Sequence, residues 1–196
     1  MPKQEIETFC PTSRQDLRRW LEENHLSKPA VWLVLYRKKA GVPSVSWSEL
    51  VDEALCFGWI DSIRRTIDNE RFMQFLSPRK PKGTWSKINK EKIIQLSAAG
   101  LMTEAGLGAI ERAKQNGSWT TLDAIDDMII PADLAEALEA NIVAGEYFQS
   151  LSKSSKKIIL YWLGSVKQTE TRQKRLGEII ESANERMKPK PFRSLI

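Results

Sequence analysis

The apolar residues of this chain mix helix-like and strand-like spacing in its first part and keep to helix-like spacing in its second, and that difference limits what the chain can fold into. Strand-like segments bounded by turn residues occur before about residue 78, whereas beyond Gly117 no convincing strand remains and the apolar positions fit the 3.6-residue period of a helix. Strands are therefore confined to the first part. Ala30 to Tyr36 is a continuous apolar run and reads as a strand buried on both faces. Trp59 to Ile67 and Arg71 to Leu76 flank Asp68-Asn69, a good turn, and read as an antiparallel hairpin. The expected fold is α+β, a small mainly antiparallel sheet with flanking helices, followed by an all-helical C-terminal module. The expected divisions are an α+β domain over 1–118, a helical domain over 119–188 and a flexible, extended tail over 189–196 that begins in the Lys188-Pro189-Lys190-Pro191 stretch.

Helix starts are marked by small hydroxyl residues. Ser13 with Asp16 opens a stripe through Leu17, Trp20 and Leu21, and Ser46 with Glu49 forms an S-x-x-E capping box ahead of Leu50, Val51, Ala54 and Leu55. Ser86 opens a helix to about Ala99, and Thr103 opens another that reaches Asn116-Gly117. Further helical patterns cover 120–129, 131–140, 152–166 and 169–187. In the third of these Ile158, Ile159, Trp162, Leu163 and Val166 form one face, and in the fourth Leu176, Ile179, Ile180, Ala183 and Met187 do so.

Composition excludes several classes of function. No apolar run approaches the ~18 residues a membrane-spanning helix needs, so no span is expected. The first nine residues carry Glu5 and Glu7 without a basic start or apolar stretch, so the expected location is the cytoplasm. Only Cys10 and Cys56 occur, too few for a disulfide framework, and Cys56 lies in an apolar run as a small buried hydrophobe. His25 is the only histidine and is expected to cap a helix or face solvent; metal centres and Ser-His-Asp or Cys-His catalysis lack ingredients, and no cofactor is expected. Residues 153–196 hold 11 of the 30 Lys/Arg and 4 of the 25 Asp/Glu, so the excess positive charge belongs to that segment. It reads as a solvated face, and nucleic acid is not an expected partner, since no zinc-finger spacing, RNP signature or GXXG loop is present.

The stretch richest in chemistry is Ala54-Leu55-Cys56-Phe57-Gly58-Trp59-Ile60-Asp61, followed by Arg71, Phe75, Pro78-Arg79-Lys80 and Trp85-Ser86 with Asn89. Together with Ser46-Trp47, Glu49, Glu53, Ile130 to Leu134, Phe148, the segment Ser152 to Trp162, and Glu170-Thr171-Arg172 with Arg175, it resembles the YdeI/OmpD-associated family, the bacteriocin-protection proteins. The resemblance extends over roughly residues 30–188. It implies a role in protection against bacteriocins or envelope stress, and an envelope protein as partner. Gly83 departs from the small hydroxyl residue expected there.

Glu49, Glu53 and Asp61 could form a carboxylate site, but capping accounts for Glu49, solvent for Glu53, and pairing with Arg71 or Arg79 for Asp61. The basic residues point elsewhere. Lys87 and Lys90 crowd one helix start, and Arg172, Lys174 and Arg175 another, against the sign the helix dipole favours. Near Ser86 the arrangement reads as an anion pocket: backbone N–H groups from Ser86 to Asn89, with Arg79 and Lys80 alongside, Trp59 or Trp85 covering a planar part, and Asp61 orienting Arg71 or Arg79. The expected function is a non-enzymatic binding or interaction protein for a small anionic ligand. The alternatives are an enzyme acting on a small phosphorylated or carboxylated substrate through Asp61 and Arg79, and nonspecific nucleic-acid binding by 153–193.

Overall fold

The computed structural model describes residues 6–166 and 168–193. The chain divides into two compact units, Met1–Thr121 and Leu122–Ile196. The first holds β1 (Thr8–Phe9), α1 (Arg14–Asn24), β2 (Val31–Tyr36), α2 (Trp47–Cys56), β3 (Trp59–Thr66), β4 (Arg71–Pro78), α3 (Lys87–Ala98) and α4 (Glu104–Gln115). Its sheet has the order β1-β2-β4-β3, with β1 parallel to β2 and the other pairs antiparallel. The expected α+β architecture is thus observed, with a two-residue parallel strand added at one edge.

β2 is not buried on both faces. Val31, Leu33 and Leu35 are buried while Trp32, Val34 and Tyr36 keep part of their surface, and β4 alternates likewise, with Phe72, Gln74 and Leu76 inward. The cause is that helices cover one side of the sheet. Leu17, Trp20 and Leu21 of α1, the stripe of α2, Ile93 and Leu96 of α3, and Ala109, Ile110 and Ala113 of α4 share one core with the inward strand residues. The hairpin turn is built as its sequence suggests: Asp68 Oδ1 accepts from the backbone N–H groups of Glu70 and Arg71 at 2.8 and 2.7 Å.

The capping box of Ser46 and Glu49 is complete, and Ser86 and Thr103 cap α3 and α4. The start of α1 is only half a box. Ser13 accepts from the Asp16 N–H at 3.2 Å, but the Asp16 carboxylate turns to the backbone N–H of Thr12, one residue earlier. The end of α2 and the start of α4 meet at backbone range: Thr103 donates from both its N–H and its hydroxyl to the Cys56 carbonyl, at 3.1 and 2.7 Å.

In the second unit every element among the described residues is helical: α5 (Asp123–Asp126), α6 (Ala132–Glu139), α7 (Ile142–Ser150), α8 (Lys153–Gly164), α9 (Thr169–Asn184) and a 3₁₀ turn at Lys190–Phe192. The pattern over 120–129 shrinks to the four residues of α5, and α7 was not anticipated. The buried stripe of α8 is Ile159, Leu160 and Leu163, with Ile158 turned outward, and Met187 lies beyond the end of α9. The segment expected as a free tail docks, because Phe192 meets Trp162 edge to face at 5.6 Å and joins the unit's apolar core; 194–196 lie outside the described residues. No helix among the described residues is long and apolar enough to cross a membrane.

Candidate functional site

Trp59 and Asp61 occupy the same side of β3, opposite Pro78 and Leu76 of β4. Trp59 is 1% exposed, packs edge-on against Trp20 at 6.0 Å and donates its indole N–H to the His25 carbonyl at 3.3 Å. It belongs to the core and cannot cover a ligand. His25 caps α1, its Nδ1 2.7 Å from the Leu21 carbonyl oxygen. Asp61 accepts from the Trp47 indole N–H at 3.1 Å, while Arg71 is committed to Asp68 across the hairpin turn at 2.7 Å. Asp61 therefore does not orient Arg71, and it acts on Arg79 only through its charge.

Arg79 is held at three points. Its backbone N–H donates to the Gly58 carbonyl at 2.9 Å, Nη1 donates to the Thr84 carbonyl at 3.2 Å, and the guanidinium lies 3.7 Å from the Trp85 ring centre. Burial pushes its pKa down to about 10, an effect the Asp61 charge partly offsets. Its Nε is shielded from solvent and has no hydrogen-bond partner among the described residues. Trp85, 2% exposed, is the floor of this arrangement and not a lid. Ser86 accepts the Asn89 N–H at 3.3 Å, so one of the amides of the α3 start is already occupied by its own cap.

Beside Arg79 lies a cleft of about 430 Å³, lined by Ile60, Ser62, Phe75 and Ser77 from the sheet and by Arg79, Lys80, Gly83 and Thr84 from the loop. Lys80 is exposed at its rim. Of the eight residues expected at the site, Arg79 and Lys80 reach this cleft. Trp59 and Trp85 are buried in the core, Ser86 and Asn89 form a helix cap, and Asp61 and Arg71 are engaged elsewhere.

The carboxylates form no acid–base site. Glu49 closes the α2 capping box, and Glu53, expected in solvent, is 1% exposed between Arg14 Nε at 2.6 Å and Arg18 Nη1 at 3.0 Å. Arg18 also donates to the Leu101 carbonyl at 3.0 Å. The sequence carried a signal for this cluster: Glu53 stands among Leu50, Val51, Ala54 and Leu55 on the inward side of α2, and Arg14 and Arg18 are one helical turn apart on α1. No group of three or more His, Cys, Asp or Glu able to hold a metal occurs among the described residues. Both cysteines are free, Cys10 exposed and Cys56 enclosed, with the Cys56 thiol pushed up to about 11 by burial and then by the charge of Glu53. A thiol reagent at neutral pH should modify Cys10 alone in the folded protein and both after denaturation; rapid loss of both native thiols would contradict the enclosure of Cys56.

A family model described as Domain of unknown function (DUF8412) matches residues 9–109, just over half of the chain. The chain belongs to the DUF8412 family. A second model, described as Bacteriocin-protection, YdeI or OmpD-Associated, matches residues 127–186. No curated protein and no solved structure matches. The resemblance expected over 30–188 is thus a match to the C-terminal part, and the motif from Ala54 to Asn89 falls in the DUF8412 portion.

Within the YdeI/OmpD-associated portion, Arg172 grips Asp133 of α6 with two hydrogen bonds of 2.7 and 2.9 Å and donates to the Leu163 carbonyl at 3.1 Å. Asp133 is held below its usual pKa first by that hydrogen bond. Arg175 donates to the Trp162 carbonyl and stacks on the Trp162 ring at 4.7 Å. Arg172 and Arg175 therefore serve the C-terminal end of α8, where positive charge is favoured, while Lys174 pairs with Glu170 of α9 itself at 2.8 Å. This geometry gives them a structural role.

Proposed function

We propose that this protein is a non-enzymatic binding protein whose cleft beside Arg79 and Lys80 takes a small anionic ligand. The observation that carries the reading is the Arg79 guanidinium, which belongs to the lining of an open cleft, donates to the Thr84 carbonyl and has no carboxylate hydrogen-bonded to it among the described residues. A partly desolvated guanidinium without a bonded counter-charge gains charge-assisted hydrogen bonds from an incoming phosphate or carboxylate oxygen. Lys80 adds charge at the rim, and Ser62, Ser77 and Thr84 supply further polar groups. The alternative of an enzyme acting through Asp61 and Arg79 has less support, since Asp61 accepts from Trp47 and the other two candidate carboxylates, Glu49 and Glu53, are held by the α2 cap and by arginines. Protection against bacteriocins or envelope stress, cytoplasmic location and an envelope partner belong to this proposal, resting on the YdeI/OmpD-associated match and the sequence.

The test is thermal unfolding with inorganic phosphate, sugar phosphates or dicarboxylates. A ligand specific to the folded state raises the melting temperature with the logarithm of its concentration. The wild type should respond beyond equal-ionic-strength chloride, and Arg79→Ala and Lys80→Ala should lose most of that increment. Lys80→Ala separates binding from folding, since Lys80 is exposed. An equal response in all three proteins would dispose of the site.

A further inference from the structure

The face of the sheet opposite the helices carries aromatic rings and cations side by side. The register places Trp32 beside Phe75, with the rings edge to face at 4.9 Å, and both keep part of their surface in solvent. The Arg65 guanidinium lies over the Trp32 ring at 4.7 Å. Tyr36 continues the aromatic row along β2, and Phe75 forms a wall of the Arg79–Lys80 cleft. Arg65 aligns with Met73, six residues before Arg79 on the β4 side, so the row is roughly 20 Å long at the rise of an extended strand.

The charge of this region is one-sided. Residues 31–40 and 59–83 contain nine Lys/Arg against three carboxylates, Asp61, which faces the helical side and accepts from Trp47, and Asp68 and Glu70 of the hairpin turn. At the hairpin turn Asp68 is taken by Arg71, and near β1 Glu7 is taken by Lys28. Half-exposed rings interleaved with arginine offer stacking surfaces, and the surrounding cations offer phosphate contacts.

We infer that this open face binds single-stranded nucleic acid, its bases stacking on Trp32 and Phe75 while its phosphates meet Arg65, Arg79 and Lys80. The inference rests on the anion reading above, since the Arg79–Lys80 cleft takes one of the phosphates. Duplex is excluded as the occupant because its bases are stacked on one another and cannot reach the rings, and a row of this length suits about two or three bases.

Binding of a labelled 12-residue oligothymidylate should be measured by fluorescence anisotropy against an abasic strand of equal length and a duplex, with phosphate-induced melting shifts recorded in parallel. The thymidylate should bind about tenfold or more tightly than the abasic strand, as expected for base–aromatic stacking, and more tightly than duplex. Trp32→Leu and Phe75→Leu should each erase most of that preference, and Trp32→Leu, a change outside the lining of the Arg79–Lys80 cleft, should leave the phosphate shift intact. Arg65→Gln, on an exposed side chain, should weaken binding and flatten the log–log salt dependence by about 0.7, the increment for one phosphate contact on a single strand. It tests the same surface should either ring variant fold poorly. Equal binding of thymidylate and abasic strands, tighter binding of duplex, or ring variants that fold and bind as wild type would overturn the inference. In those cases a phosphate shift that still depends on Arg79 leaves the anion site standing, whereas its absence removes both.

Discussion

Glu53→Gln lowers the melting temperature of the N-terminal unit by roughly 6–12 °C. The carboxylate is 1% exposed and is the shared partner of Arg14 and Arg18. Removing one member of a buried ion cluster costs about 3–5 kcal/mol, because the remaining charge stays desolvated without its counter-charge. Here the two arginines keep 34% and 25% of their side-chain exposure, so water reaches them and the low end, about 3 kcal/mol, applies. A chain of this size loses about 2–4 °C per kcal/mol. Glu22, whose contact with Arg18 is exposed, is the control: Glu22→Gln should cost less than about 0.5 kcal/mol. Thermal unfolding followed by circular dichroism decides the matter, and a Glu53→Gln shift no larger than that of Glu22→Gln would mean that the cluster is not held as described.

Gly106→Ala should destabilise the same unit by at least the roughly 1–3 kcal/mol of core overpacking. A Cβ there would stand 2.2 Å from the Cys56 carbonyl oxygen and 2.9 Å from that of Leu55, so backbone must move against backbone. The shift cannot be local, since the Cys56 carbonyl also accepts both bonds from Thr103. Gly58 meets α4 from the other side: its φ of +70° disfavours a side chain, and a Cβ would lie 2.9 Å from the Ala105 carbonyl oxygen. Gly177, within α9 and with nothing inside 4 Å of a Cβ, should behave oppositely, Gly177→Ala gaining about 0.5–1 kcal/mol from helix propensity. Urea denaturation of the two variants gives both signs; a neutral Gly106→Ala would refute the close approach of α2 and α4.

What the sequence revealed was mostly local chemistry. The hairpin was legible because Asp68 writes its own turn, and the helix starts because Ser46, Ser86, Thr103 and Ser152 cap with their own hydroxyls. β1 was not legible: two residues have no period, and their pairing with Trp32 and Leu33 follows from where the chain returns. α7 escaped because Ile142 and Val143 face solvent while Ala144 and Phe148 are buried, which blurs the stripe. At the candidate site, Arg79 and Lys80 were readable as cations near a helix start. The burial of Trp59, Trp85 and Glu53 was not, because tryptophan and a long acid occur on either side of a surface and only the packing of α1 and α4 decides which.

The sheet ends on β3, eight residues long, a length at which an exposed edge could recruit a second copy. Three details work against that outcome. Register shifts between Asp61 and Arg64, the Ile63 carbonyl is drawn to the buried Gln74 amide at 3.4 Å, and Arg64 and Arg65 follow at once. A bulged edge offers no continuous row of amides and carbonyls, and an incoming copy would bring two more arginines to a place that already has two. Self-templated growth of the sheet is thereby blocked by the edge's own shape and charge.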